Sequence, residues 1–221
     1  MKLTRFLPCL ALLLAVPSAR ATISFEIDAD LLSNSSNVGI PDGSAIFLVV
    51  DTTGAGFALP KLGAVSVGSA WGGSSHNFVA ETYSANGAAF NSNANDAGAV
   101  SFNTNAYPYS TVAGMGANQH LGLFWFPTLG YNASSISIIG GDTYGYFDFS
   151  STGSGAASWI TPPDGNFGIF FTINTPNAVS FGTGNDIVNY GVVVPEPSTF
   201  ALLGGISAMG LALLRRRRQV R

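Results

Sequence analysis

Between residues 22 and 194 no apolar run keeps a helical period, and this restricts the fold more than any other feature of the chain. Short strand-like runs are cut by Gly, Pro, Asn, Asp and Ser roughly every ten to fifteen residues, the pattern of an all-β domain. Phe25, Ile27 and Ala29 alternate with Ser24, Glu26, Asp28 and Asp30, predicting a strand with one apolar and one acidic face. Residues 45–50 and 121–126 are apolar on both faces, so each predicts a strand buried on both sides. Phe167, Ile169, Phe171 and Ile173 predict another alternating strand, and Phe147 and Phe149 an inner face opposite Asp142, Tyr144, Tyr146 and Asp148. Some ten strands of this kind predict a single β-sandwich over residues 22–191, with a jelly roll among its arrangements. A body of that length holds one core rather than two.

Residues 1–21 read as a signal-peptide helix. Lys2 and Arg5 give a positive start, residues 6–16 an apolar run, and Ala19 and Ala21 the small residues that signal peptidase requires. The expected cut follows Ala21. The single cysteine, Cys9, lies in the middle of that apolar run. The exported body then has no thiol, which excludes disulfides, thiolate-bound metals and a cysteine nucleophile.

Charge separates the body from the ends. Of nine Lys and Arg, only Lys61 falls within residues 22–194, against eleven Asp and Glu, a formal charge of −10. An acidic body repels phosphate backbones, so nucleic acid is not an expected partner.

Residues 192–221 form the third part. Pro195 and Pro197 stop the last strand and hold the chain extended around Glu196. The next sixteen residues, 199–214, carry no charge. As a helix they would span about 24 Å, a little short of a hydrocarbon core of roughly 30 Å, and snorkelling arginines can make up the difference. Arg215, Arg216, Arg217 and Arg218 follow, and positive flanks stay in the cytoplasm, so the body lies outside. The motif Pro195-Glu196-Pro197-Ser198, a short transmembrane helix and a terminal arginine cluster together resemble the PEP-CTERM sorting signal. That resemblance implies recognition of Pro195, Glu196 and Pro197 by exosortase, a membrane enzyme of Gram-negative bacteria. It also implies transient anchoring in the inner membrane, then release to or attachment at the cell surface, often alongside exopolysaccharide.

The body offers little catalytic pattern. His76 and His120 stand 44 residues apart with no metal-binding spacing. Ser74 and Ser75 precede His76, yet no Gly-x-Ser-x-Gly elbow occurs. Asn91, Asn93, Asn95 and Asp96 begin like a calcium loop, but Asp96 stands where Gly is needed and Phe102 where Glu is needed. The Gly-x-Gly pieces at Gly54, Gly114 and Gly182 do not extend to a dinucleotide fingerprint. No cofactor and no metal are expected; Glu26, Asp28 and Asp30, on one strand face, form the sole calcium candidate. Asp142 and Asp148 lie six residues apart on one strand face, roughly 20 Å, too far to act as a carboxylate pair.

Aromatic residues are the more suggestive feature. Tyr144 and Tyr146 share a face with two aspartates, and Trp71, Tyr107 and Tyr109 fall in loop-like sequence. Rings stack on sugar faces while carboxylates accept hydroxyl hydrogens, making Trp71, Tyr144 and Tyr146 candidate sugar contacts. The expected protein is a non-enzymatic surface or extracellular-matrix component, structural or adhesive and associated with exopolysaccharide. A carbohydrate-binding module is the alternative, and a secreted hydrolase the third.

Overall fold

The computed structural model describes residues 22–29, 32–36, 38–85, 100–147, 159–163, 167–172, 189–195 and 209. Residues 1–21, expected to be the signal, Asp30, Asp148, Phe149, Ile173, residues 91–98, the motif residues Glu196, Pro197 and Ser198, and the arginine cluster lie outside them. Met209, within the uncharged run, is helical. Among the described residues no helix is long and apolar enough to cross a membrane.

Strands dominate, as the turn-punctuated sequence predicts. β1 (Thr22–Ala29), β2 (Ser44–Asp51), β3 (Gly63–Val65), β4 (Asn77–Ser84) and β5 (Val100–Pro108) precede a 3-10 turn at Tyr109–Thr111. β6 (His120–Gly130), β7 (Ile136–Ile138), β8 (Thr143–Phe147), β9 (Phe167–Thr172) and β10 (Asn189–Val192) follow. Five of them form an antiparallel sheet in the order β10-β8-β6-β2-β4. A three-stranded sheet, β5-β1-β9, pairs β1 antiparallel to β5 and parallel to β9. The third sheet is the pair β3-β7.

The five-stranded sheet is central because its middle strands are apolar on both faces. Every residue of β2 is buried, and so are residues 121–126 of β6. Successive side chains of a strand point to opposite faces, so β2 feeds two cores. Ile46, Leu48 and Val50 join Leu121, Leu123, Trp125 and Phe147 in a cluster that includes Ile23 of β1 and Tyr107 of β5. Ala45, Phe47 and Val49 join Phe124, Phe126 and Tyr144 in a second cluster with Val65 of β3 and Ile136 and Ile138 of β7. The body is therefore layered, with a short second cover over the central sheet. The expectation that Tyr144 lies opposite an inner face at Phe147 holds for direction but not for exposure. Both faces of β8 are covered, because β3, β7 and the loop carrying Trp71 close the second side.

Candidate functional site

The sequence places its strongest motif at the end of β10, and the structure shows how the body holds the chain there. β10 stands at the margin of the central sheet, paired with β8 from Asn189↔Tyr146 to Val192↔Thr143. Val193 follows at once and is buried, inside the second core. Its N–H donates to the Asp142 carbonyl (2.9 Å), and its carbonyl accepts from the Gly141 N–H (2.9 Å). The core thus extends past the expected start of the tail at residue 192.

The turn that grips Val193 is built by Ile139, Gly140, Gly141 and Asp142. Gly141 has φ of 95°, a left-handed conformation that favours glycine. The Asp142 carboxylate accepts the Ile139 N–H (2.8 Å) and closes the turn. Gly140 faces the motif directly: a Cβ there would lie 3.1 Å from Pro195 Cγ and 3.8 Å from Leu62 Cδ2. Pro195 therefore packs on the backbone of the β7–β8 turn, and the folded body reaches the first residue of the motif without a linker.

On the opposite side of β10 lies a small cleft of about 200 Å³, lined by Asn34, Ser35, Pro127, Thr143, Tyr144, Tyr190, Gly191 and Val192. Its floor is rigid. Tyr190 Oη and Ser33 Oγ share a hydrogen bond of 2.7 Å, and the Trp125 indole N–H donates to the Ser33 carbonyl at 2.8 Å. Burial, reinforced by the neighbouring Tyr146 phenol, raises the Tyr144 pKa above the ordinary tyrosine value.

The aromatic candidates are distributed unevenly. Trp71 does lie in a loop, but it is fully buried, its indole N–H donating to the Ala58 carbonyl (3.0 Å). Its ring packs 4.8 Å from Phe124 and 5.1 Å from Phe47. Tyr146 is half-buried and stacks on Phe124, with centroids 5.3 Å apart and planes at 12°. Tyr144 contributes to the cleft while being almost wholly buried. Tyr107 ends β5 instead of lying in a loop, and Tyr109 opens the 3-10 turn. Both point inward, their hydroxyls donating to the Ala80 and Pro162 carbonyls. Loop chemistry in a sequence fixes the backbone; it does not say where a ring goes.

Sequence reasoning passed over Asp51, which the strand register sets beside both Asn77 and His120. The residue is fully buried, and its carboxylate accepts from the Thr53 N–H, Thr53 hydroxyl, Gly54 N–H and Gly56 N–H (2.7–3.2 Å). Asn77 braces the same loop through the Ala58 N–H and the Gly56 carbonyl. Ser74 Oγ accepts the His76 and Asn77 N–H groups. Serine, histidines and carboxylate thus gather at one end of the sheet, but the serine and the carboxylate are engaged in holding turns. An aspartate followed by Thr-Thr-Gly-Ala-Gly was the available signal, the pattern of a side chain bonding the amides of its own turn. Among the described residues no group of three His, Cys, Asp or Glu could hold a metal ion. Of the calcium candidate, Glu26 and Asp28 fall on β1 and Asp30 lies outside the described residues.

Residues 193–218 match the family model of the PEP-CTERM protein-sorting motif. The chain carries a PEP-CTERM sorting motif. The match starts at the very valine that the core buries and runs through the arginine cluster. A PEP-CTERM motif marks a chain for exosortase processing and for export to the cell envelope or surface. No curated protein and no solved structure matches the chain.

Proposed function

We propose that this PEP-CTERM protein is a non-enzymatic component of the cell surface or extracellular matrix. Its layered body, a β-sandwich with an added third layer, acts as a structural or adhesive unit associated with exopolysaccharide. In this reading signal peptidase removes residues 1–21, the uncharged run anchors the chain transiently in the inner membrane, and exosortase then acts on the motif. The observation that carries it is the continuity of β10, Val193 and Pro195: the last strand of the body leads directly into the motif, whose first residue packs on the body. The acidic body, with eleven carboxylates to one lysine between residues 22 and 194, suits a hydrated polysaccharide phase in which like-charged proteins stay dispersed.

The test is proteomic. In the native host, material at the cell surface should contain the body and lack peptides from Ala201 onward. Deleting the exosortase, or substituting Glu196→Ala, should retain the full-length chain in the inner membrane. Tail peptides persisting at the surface of wild-type cells would end the sorting reading. Loss of matrix cohesion on deleting the gene, restored by the wild-type chain, tests the structural role.

A second reading follows from the cleft. Tyr144 and Tyr190 offer ring surface, while Asn34, Ser35 and Thr143 offer hydroxyl and amide groups, the combination that holds a sugar unit. A cleft of about 200 Å³ suits one sugar residue of a chain. A glycan array with the exported protein checks this, since Thr143→Trp should fill the cleft and abolish any signal while the fold persists.

A further inference from the structure

The large exposed apolar side chains include Leu62 (39% exposed), Ile139 (61%) and Val194 (73%). Three independent relations bring them to one corner. Gly63 pairs with Ile138 across β3 and β7, so Leu62 and Ile139, the residues flanking that pair, leave the sheet together. Leu62 and Pro195 both approach Gly140. Val194 connects Pro195 to the buried Val193. On a body whose loops are otherwise rich in Gly, Asn and Ser, such a cluster marks a contact surface.

We propose that the corner formed by Leu62, Ile139, Val194 and Pro195 rests on the lipid surface of the membrane in which the sorting segment is anchored. The inference rests on the membrane-anchored reading given above and adds to it a defined orientation of the body. Four residue steps lead from Pro195 to Thr199, where the uncharged run begins. Fully extended, they cover at most about 14 Å, so the corner cannot stand far from the headgroups once the run is inserted. Apolar side chains within that reach gain by entering the interface, as the apolar face of an interfacial helix does. Asp142, beneath the corner, is buried with a carboxylate oxygen on the Ile139 N–H, so it is not presented outward.

The experiment uses the full chain carrying Cys9→Ala, reconstituted in vesicles of phosphatidylethanolamine and phosphatidylglycerol. An environment-sensitive dye is attached in turn at Ile139→Cys, at Ala55→Cys and at Gly204→Cys, and quenching by nitroxide-labelled lipid is read. Ala55 is exposed in the loop after β2, at the end of the central sheet remote from the motif. Quenching at Ile139 and Gly204 severalfold above that at Ala55 supports the proposal. Quenching at Gly204 alone overturns it and leaves the anchored reading intact. No quenching at Gly204 overturns the anchored reading as well. Shielding of Ile139 that arises only when exosortase is co-reconstituted overturns the lipid assignment, because the corner would then face the enzyme.

Discussion

At the scale of single residues, two glycines and a tryptophan decide how the aromatic interior closes. A Cβ at Gly145 would lie 2.4 Å from the Trp125 ring, and one at Gly191 would lie 2.4 Å from the Tyr144 ring and hydroxyl. Both positions are strand glycines covered by an aromatic ring from the neighbouring strand, which compensates for the missing side chain. Gly145→Ala and Gly191→Ala should each cost about 1–3 kcal/mol by overpacking, read as a lower urea midpoint with an unchanged slope. Gly145→Ala should be the worse, because Trp125 is fully buried and tethered to Ser33. Trp71→Ala separates two roles for that residue. A surface sugar contact could be truncated with little effect on folding, whereas a tryptophan buried among Phe47 and Phe124 should lose about 3–5 kcal/mol in the same measurement.

At the scale of elements, a pair of titrating groups reports on the packing of β4 against β5. Glu81 of β4 has its carboxyl pushed up by burial, partly countered by the Thr82 N–H it accepts. Tyr107 of β5 has its phenol pushed up by burial and then by the Glu81 charge. Each folded pKa is raised, so each contribution is whole below the unfolded value and lost as pH rises through the folded one. For Glu81 the decline begins near the ordinary 4.5; for Tyr107 it begins near 10. Glu81→Gln should flatten the first decline in a stability-against-pH series, and Tyr107→Phe the second, at the expense of the hydrogen bond to Ala80. An unchanged acid limb in Glu81→Gln would mean that the Glu81 carboxyl is not buried as described. The central strands themselves were legible in the sequence, since an apolar run six residues long, 45–50 or 121–126, has no face to offer solvent. Their neighbours were not. The order β10-β8-β6-β2-β4 and the parallel pairing of β1 with β9 depend on contacts distant in sequence, and local alternation carries no information about which edges meet. The sorting motif was fully legible for the opposite reason: it is recognised as linear sequence, and its parts need no partner to be identified.

At the scale of the molecule, the end of the body is held by packing as well as by chain sequence. Composition changes at the valine run, but packing continues through it, because Val193 fills the second core and its two backbone groups are held by the β7–β8 turn. Consider two forms of the mature protein, one ending at Gly191 and one at Pro195. The shorter form forfeits the burial of a valine, worth about 1.5–3 kcal/mol, and two hydrogen bonds of about 0.5–1.5 kcal/mol each. It also leaves the Asp142 carbonyl and the Gly141 N–H in need of new partners and frees β8 along part of its outer edge. A sheet edge uncovered in this way is a site for pairing with another chain, so the shorter form should both melt earlier and associate in a concentration-dependent manner. A protein matured by proteolysis keeps its fold only if the cut spares the strand that ends it. The processed body should therefore terminate beyond Val193, at or after Pro195, and its intact mass reads that boundary directly. A mature C-terminus at or before Val192 would mean that the clamp on Val193 is dispensable, and the two forms should then melt at the same temperature.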